Sequence, residues 1–136
     1  MRNFIYLLLA IGIISQSNQA FSESAYICAA DKATGFKFNT LKESWESGDF
    51  TTQSEKILLK KTDKRWEWVE FGSENGRDCG EINENGYLIC SDIYGQFIFS
   101  KNTLRYTSTY IRGYVDGKDK EGNTPNVMIG KCTLLN

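Results

Sequence analysis

The chain has 136 residues, 40% of them hydrophobic and 24% charged, with 16 Lys and Arg against 17 Asp and Glu. That is the composition of one folded globule, and a net charge of −1 gives no global attraction to nucleic acid or to an anionic membrane. Histidine is absent, which excludes Ser-His-Asp and Cys-His nucleophiles and histidine-based zinc sites.

The first element in chain order is an export signal. Arg2 forms a short positive region, Phe4 to Ile14 an apolar run of eleven, and Ser15 to Ser22 offers small residues to a signal peptidase. Spanning about 30 Å of hydrocarbon takes roughly 20 residues, so the run is too short for a membrane helix. Cys28 lies too far behind it, after the bulky Tyr26-Ile27, for a lipid anchor. The sequence therefore predicts a signal peptide over 1–22, cleaved after Ser22, where Ala20-Phe21-Ser22 fits a small-x-small pattern, with cleavage after Ala20 as the alternative, and one β-rich domain over 23–136 with no transmembrane segment. Loss of Arg2 leaves 15 basic against 17 acidic residues, a net charge of −2. The mature domain is expected to be periplasmic or secreted.

Strand-like runs then recur at short spacing: Ala25 to Ala30, Gly35 to Asn39, Ser44 to Thr51, Lys56 to Lys61, Trp66 to Phe71, Gly80 to Asn83, Tyr87 to Asp92, Gln96 to Ser100, Leu104 to Val115 and Asn126 to Thr133. Aromatic and β-branched residues crowd them, and several alternate with polar residues, as a half-buried strand requires. Thr62-Asp63, Asn75-Gly76, Asn85-Gly86, Tyr94-Gly95 and Lys101-Asn102 supply turns. Thr40-Leu41-Lys42-Glu43 matches a capping box and competes as the start of a short helix against a simple turn. The fold class is all-β: a small antiparallel meander forming a closed or nearly closed barrel, with a two-sheet sandwich as the alternative.

Cys28, Cys79, Cys90 and Cys132 are an even set in a chain bound for an oxidising compartment, with no C-x-x-C spacing, so two structural disulfides are expected. Three connectivities are possible. Asn85-Gly86 is the strongest hairpin signal in the chain, and a two-residue turn there pairs Glu84 with Tyr87 and sets Cys79 diagonally from Cys90 on one face. That separation is near the upper limit for a disulfide, and a bulge shortens it. Cys79 with Cys90 is favoured, leaving Cys28 with Cys132 to join the first strand to the last. A loop of roughly 100 residues closed in this way is worth up to about 4 to 5 kcal/mol in the chain-entropy model.

Several side chains carry two readings each. Trp45, Trp66 and Trp68 are a stacking platform for a sugar or peptide, or they are core; Trp66 and Trp68 alternate onto one strand face. Tyr106, Tyr110 and Tyr114 recur every four residues in one long run, so with Arg112 they line a cavity for a small polar or anionic ligand or simply fill the interior. Lys60, Lys61, Lys64 and Arg65 surround the Thr62-Asp63 turn as an anion site or as a solvated hairpin tip. The loop Asp116 to Asn123 places Lys118 and Lys120 where a calcium loop needs oxygen ligands, so no metal is expected there. The acid pairs Glu43/Glu46 and Glu67/Glu70 carry no sign of converging on a cleft.

The segments Tyr26-Ile27-Cys28, Ala33-Thr34-Gly35-Phe36-Lys37-Phe38, Leu104-Arg105-Tyr106, Gly113-Tyr114-Val115 and Ile129-Gly130-Lys131-Cys132 resemble those of a group of small exported bacterial proteins without assigned function. In size, export and cysteine content the chain also looks broadly like the periplasmic lysozyme inhibitors, without their loop motif. The resemblance implies an exported bacterial domain and no active-site residue. The functional expectation is a non-enzymatic binding or inhibitory module, without cofactor, acting on a protein or glycan of the cell envelope and not on nucleic acid. A small carboxylate-dependent glycan hydrolase and a structural or adhesive envelope component are the alternatives.

Overall fold

A computed structural model describes residues 24–63 and 65–135; the expected signal peptide and Lys64 of the basic turn lie outside the described residues. Among the described residues nine strands form: β1 (Ala25–Asn39), β2 (Ser44–Phe50), β3 (Lys56–Lys61), β4 (Trp66–Glu70), β5 (Gly76–Gly80), β6 (Tyr87–Ser91), β7 (Gly95–Ser100), β8 (Arg105–Tyr110) and β9 (Asn126–Leu135), with one helical turn, α1 (Arg112–Val115), between the last two. Their order is β5-β4-β3-β1-β9-β8-β7-β6, every pair antiparallel, with β2 added to the outer half of β1. This is the all-β, nearly closed barrel that the turn spacing predicts, and not a sandwich. One seam, between β5 and β6, carries no strand ladder.

Alternation drives the closure, because each strand must turn one face away from water. Tyr26, Trp66, Trp68, Phe97, Phe99 and Tyr106 point inward and are all buried. Their rings meet at 4.9 Å for Tyr26 and Phe99, 5.2 Å for Phe97 and Tyr106, and 5.6 Å for Tyr26 and Trp66. Side chains thus fill the barrel, as a barrel of so few strands allows.

Both disulfides join the expected partners. Cys28 and Cys132 are direct cross-strand neighbours on β1 and β9, 104 residues apart in sequence, so the bridge ties the first strand to the last. Cys79 and Cys90 staple the seam, their Cα atoms 4.3 Å apart. The expected hairpin ladder between the two cysteines does not form; Cys79 is instead the extra residue of a bulge in the β4–β5 ladder, where the register shifts between Trp66↔Gly80 and Glu67↔Asp78.

Local details depart from expectation in three places, while at residues 40–43 the simple turn forms in preference to a helix. The runs Ala25 to Ala30 and Gly35 to Asn39 are one continuous strand, because a register shift between Ala30 and Lys32 keeps the inward residues in phase across Asp31. Residues 40–43 form a turn, with Asn39 Oδ1 accepting the N–H groups of Leu41 and Lys42 at 3.1 Å. The strand expected at Gly80 to Asn83 lies earlier, at Gly76–Gly80. The tip that follows is one residue longer than a two-residue turn: Asn83 faces Tyr87 across Glu84-Asn85-Gly86, Gly86 has φ +83°, and Asn83 Oδ1 accepts the N–H groups of Asn85 and Tyr87.

Candidate functional site

The outer half of β1 runs past the barrel. Its pairing with β9 ends at Gly35↔Asn126, while Ala33 to Asn39 pair with Phe50 to Ser44 of β2, so the β1–β2 hairpin projects as a two-stranded ribbon. The register sets Phe36 opposite Ser47 and Phe38 opposite Trp45 on one ribbon face. Trp45 meets Phe38 edge-on at 5.5 Å and Tyr114 of α1 at 5.5 Å, and its Nε1–H donates to Asp119 Oδ1 at 3.0 Å. The indole thereby joins the ribbon to α1 and to the polar loop after it.

The turn α1 replaces the end of the long strand expected from Leu104 to Val115, and one buried asparagine accounts for it. Asn123 Nδ2 donates to the carbonyls of Gly113 at 2.8 Å and Lys118 at 2.7 Å, and its Oδ1 accepts the Tyr110 hydroxyl at 3.2 Å. The fit requires glycine at 113, where a Cβ would overlap Asn123 Oδ1. Arg112 and Asp116 close the turn through a 2.8 Å ion pair, which holds the guanidinium even more firmly protonated than usual. The three tyrosines consequently do not share a face. Tyr106 is inside the barrel, Tyr110 reaches Asn123, and Tyr114 stands outside at 62% exposure.

Phe36, Trp45, Ile111, Tyr114, Val115 and Pro125 line a groove of about 480 Å³ between the ribbon and α1. Phe36 and Ile111 are each more than half exposed, and Val115 is three-quarters exposed. None of the described residues that line the groove is charged. Its two polar side-chain groups are the Tyr114 hydroxyl and the Trp45 N–H, and the latter is already engaged by Asp119.

The sequence-derived candidates separate in space. Trp45 lies in the groove, with Tyr110 in the adjoining wall. Trp66 is 4% exposed, a core side chain whose edge borders a concavity with Tyr26, Lys61 and Glu81. Trp68 is also core, but it borders a cavity at the seam, where the Arg77 guanidinium lies 4.7 Å over its ring. Tyr106 is buried, and burial first, then the carboxylates of Asp31 and Glu55, push its phenol pKa up to about 12. Arg112 stacks over Tyr94 at 4.9 Å, tied to Asp116, and does not line the groove. Sequence reasoning missed Phe36, Ile111, Val115 and Pro125 as a set. The available signal was Gly113, a glycine inside a strand-like run, which marks a break or a close backbone approach.

The three described cations of the basic turn are each paired with an acid. Lys60 pairs with Glu67 at 3.1 Å, Lys61 with Glu81 at 3.5 Å and Arg65 with Asp78 at 2.6 Å. Glu67 and Glu70, three apart on one strand, face opposite ways, and Glu46 pairs with Lys42, so neither acid pair converges. Among the described residues, no three of His, Cys, Asp or Glu gather to hold a metal ion, and no helix is long and apolar enough to cross a membrane. Two disulfides fit an oxidising compartment. No family model, curated protein or solved structure matches the chain.

Proposed function

We propose that the chain is an exported, non-enzymatic binding module that holds a protein partner of the cell envelope or exterior through the groove between the β1–β2 ribbon and α1. The observation that carries this reading is the contrast in exposure: the barrel interior is filled, while Phe36, Ile111, Tyr114 and Val115 are left more than half exposed together. Contiguous exposed apolar surface is uncommon on monomers and marks contact sites, and aromatic residues lead in binding energy at such sites. A protein anchor fits better than a glycan, because a sugar needs several planar polar groups to take up its hydroxyls and the groove has the Tyr114 hydroxyl as its one unengaged polar side chain. Export is supported by the apolar run at Phe4 to Ile14 and by the two disulfides.

The test is affinity capture from envelope and secreted fractions of the source cell, with the oxidised wild type beside a Phe36→Ala, Tyr114→Ala double variant. A partner held by the wild type and weakened about tenfold or more in the folded variant is the expected result. A partner retained equally by both moves recognition away from the groove. Soluble peptidoglycan fragments serve as the counter-probe, since saturable binding that survives the double substitution favours a glycan site elsewhere.

A further inference from the structure

The β1–β2 ribbon leaves a long strand edge open. Each barrel strand is paired on both sides or, at the β5–β6 seam, tied by the Cys79–Cys90 bridge and the 3.0 Å Arg77–Asp92 ion pair. β2 pairs with β1 alone, in unbroken register from Ser44 to Phe50. The last rung of the barrel fixes which way its main chain points. Phe36 N–H donates to Pro125 O at 2.9 Å, away from β2, so Phe36 and Ser47 exchange no hydrogen bond across the ribbon. By alternation Ser44, Glu46 and Gly48 turn their N–H and C=O groups to β1, and the Thr34 hydroxyl accordingly finds Gly48 O at 3.1 Å. Trp45, Ser47 and Asp49 turn theirs to the free edge, where no group among the described residues meets them.

Such an edge is a template for another strand, and native proteins usually blunt it with proline, lysine or a bulge. β2 has none of these. What it has is symmetry, because its outward residues are centred on Ser47. Antiparallel pairing with a second β2 about that centre sets Ser47 against Ser47, and Trp45 of each copy against Asp49 of the other. All of these are pairs that exchange both N–H and C=O groups, so every open group on the edge is satisfied. In this register Glu46 lies opposite Gly48, and no acid faces an acid. The two Glu46 side chains approach only on the diagonal, and each is already held by Lys42 of its own copy at 2.8 Å. A slip that centres the pairing on Glu46 instead opposes the two acids directly and is disfavoured.

We propose that the open edge of β2 pairs with β2 of a second copy of this chain, giving a two-fold dimer through a continuous β1-β2-β2-β1 ribbon. The axis passes through Ser47 normal to the ribbon, so both grooves open on the same side, the arrangement that a two-site partner requires for bivalent binding. A strand-edge contact without an apolar core is small, in the class below about 1,200 Å² that associates weakly. The dimer is therefore a concentration-dependent state. Its contact uses the ribbon edge, and it stands whether or not the groove is occupied.

Sedimentation equilibrium of the oxidised protein from about 10 µM to about 1 mM tests the assembly, and amide hydrogen exchange of the ¹⁵N-labelled protein at both ends of that range tests the register. The mass is expected to rise from one copy towards two. Exchange at Trp45, Ser47 and Asp49 should slow at the higher concentration, while Glu46 and Gly48, already bonded to β1, stay as they are. Ser47→Pro removes the central donor at a position where a free edge tolerates proline. Ser47→Lys keeps the backbone and sets two ammonium groups together on the axis. Each should weaken association about tenfold or more, with protection at Glu46 and Gly48 reporting that the ribbon is intact. Phe36→Ala with Tyr114→Ala, in the groove, should leave the mass curve unchanged. A single copy at every concentration, slowed exchange that does not alternate along β2, unchanged association in both Ser47 variants, or association lost in the groove variant overturns the proposal.

Discussion

Trp66, inside the barrel, is 4% exposed and packs against Tyr26; Tyr114, in the groove, is 62% exposed and leans on Trp45 at nearly the same ring separation, 5.5 Å against 5.6 Å. Residue type and ring contact are alike in the two regions, and what differs is what lies on the other side of each ring. In the barrel the far side is more protein, so burial there stabilises the fold. In the groove the far side is water, so the same apolar surface is free to be covered by something else. An aromatic residue deleted from the first region should be read out as stability, and one deleted from the second as binding.

The largest effect that sharpens this contrast is expected from Trp66→Ala. Emptying a packed interior position of this size costs about 3 to 5 kcal/mol, which chemical denaturation of the oxidised protein measures as a lower midpoint. The Cys28→Ser, Cys132→Ser variant comes next: opening the 104-residue loop should cost about 2 to 5 kcal/mol and leave the groove residues in place if the variant is still folded. Loss of Asn123 is expected to cost about 1 to 3 kcal/mol, since Asn123→Ala strands the carbonyls of Gly113 and Lys118 and the Tyr110 hydroxyl. Because Asn123 holds α1, this variant should also weaken partner capture, which separates it from Trp66→Ala at equal residual stability.

Tyr106 offers a test by pH. Its phenol pKa stands at about 12 in the fold, against an ordinary value of about 10, so the fold favours the protonated phenol. Its contribution is complete below about pH 10 and is lost as the pH rises through about 12, at up to about 1.4 kcal/mol per pH unit. Denaturation midpoints measured at about pH 9 and about pH 11 should therefore differ, and Tyr106→Phe should reduce that difference. The smallest effect on stability is expected in the groove, where Phe36→Ala with Tyr114→Ala should move the midpoint by no more than about 1 kcal/mol while removing the partner. A large loss of stability there would erase the distinction between the two regions.

Much of the barrel is legible in the chain because its rules are local. Alternation in Gln96-Phe97-Ile98-Phe99 puts Phe97 and Phe99 inward, and the closeness of Cys79 and Cys90 in sequence gives their pairing, although β5 and β6 form no hairpin ladder between them. The break after Tyr110 leaves one mark in the sequence, Gly113, and the rest is not legible, because the residue that causes it, Asn123, is ten positions further on and acts through a buried side chain. Reading Leu104 to Val115 as one strand put Tyr106, Tyr110 and Tyr114 on a common face that the fold does not contain. The groove shares that origin: Phe36, Ile111 and Pro125 come from three separate segments, and their meeting depends on where α1 lies. The basic turn shows the converse case. Its cations are visible in sequence, whereas Glu67, Asp78 and Glu81, which neutralise them, arrive through strand pairing and the seam.

Site-specific photo-crosslinking in the producing cell tests the central claim most directly, with a benzophenone amino acid placed at Tyr114 in the groove or, for comparison, at Glu67 on the ion-paired face of β4. The groove account predicts a discrete protein adduct from position 114 that is absent from position 67. The same adducts from both positions, or none from 114 in a correctly oxidised protein, would contradict it.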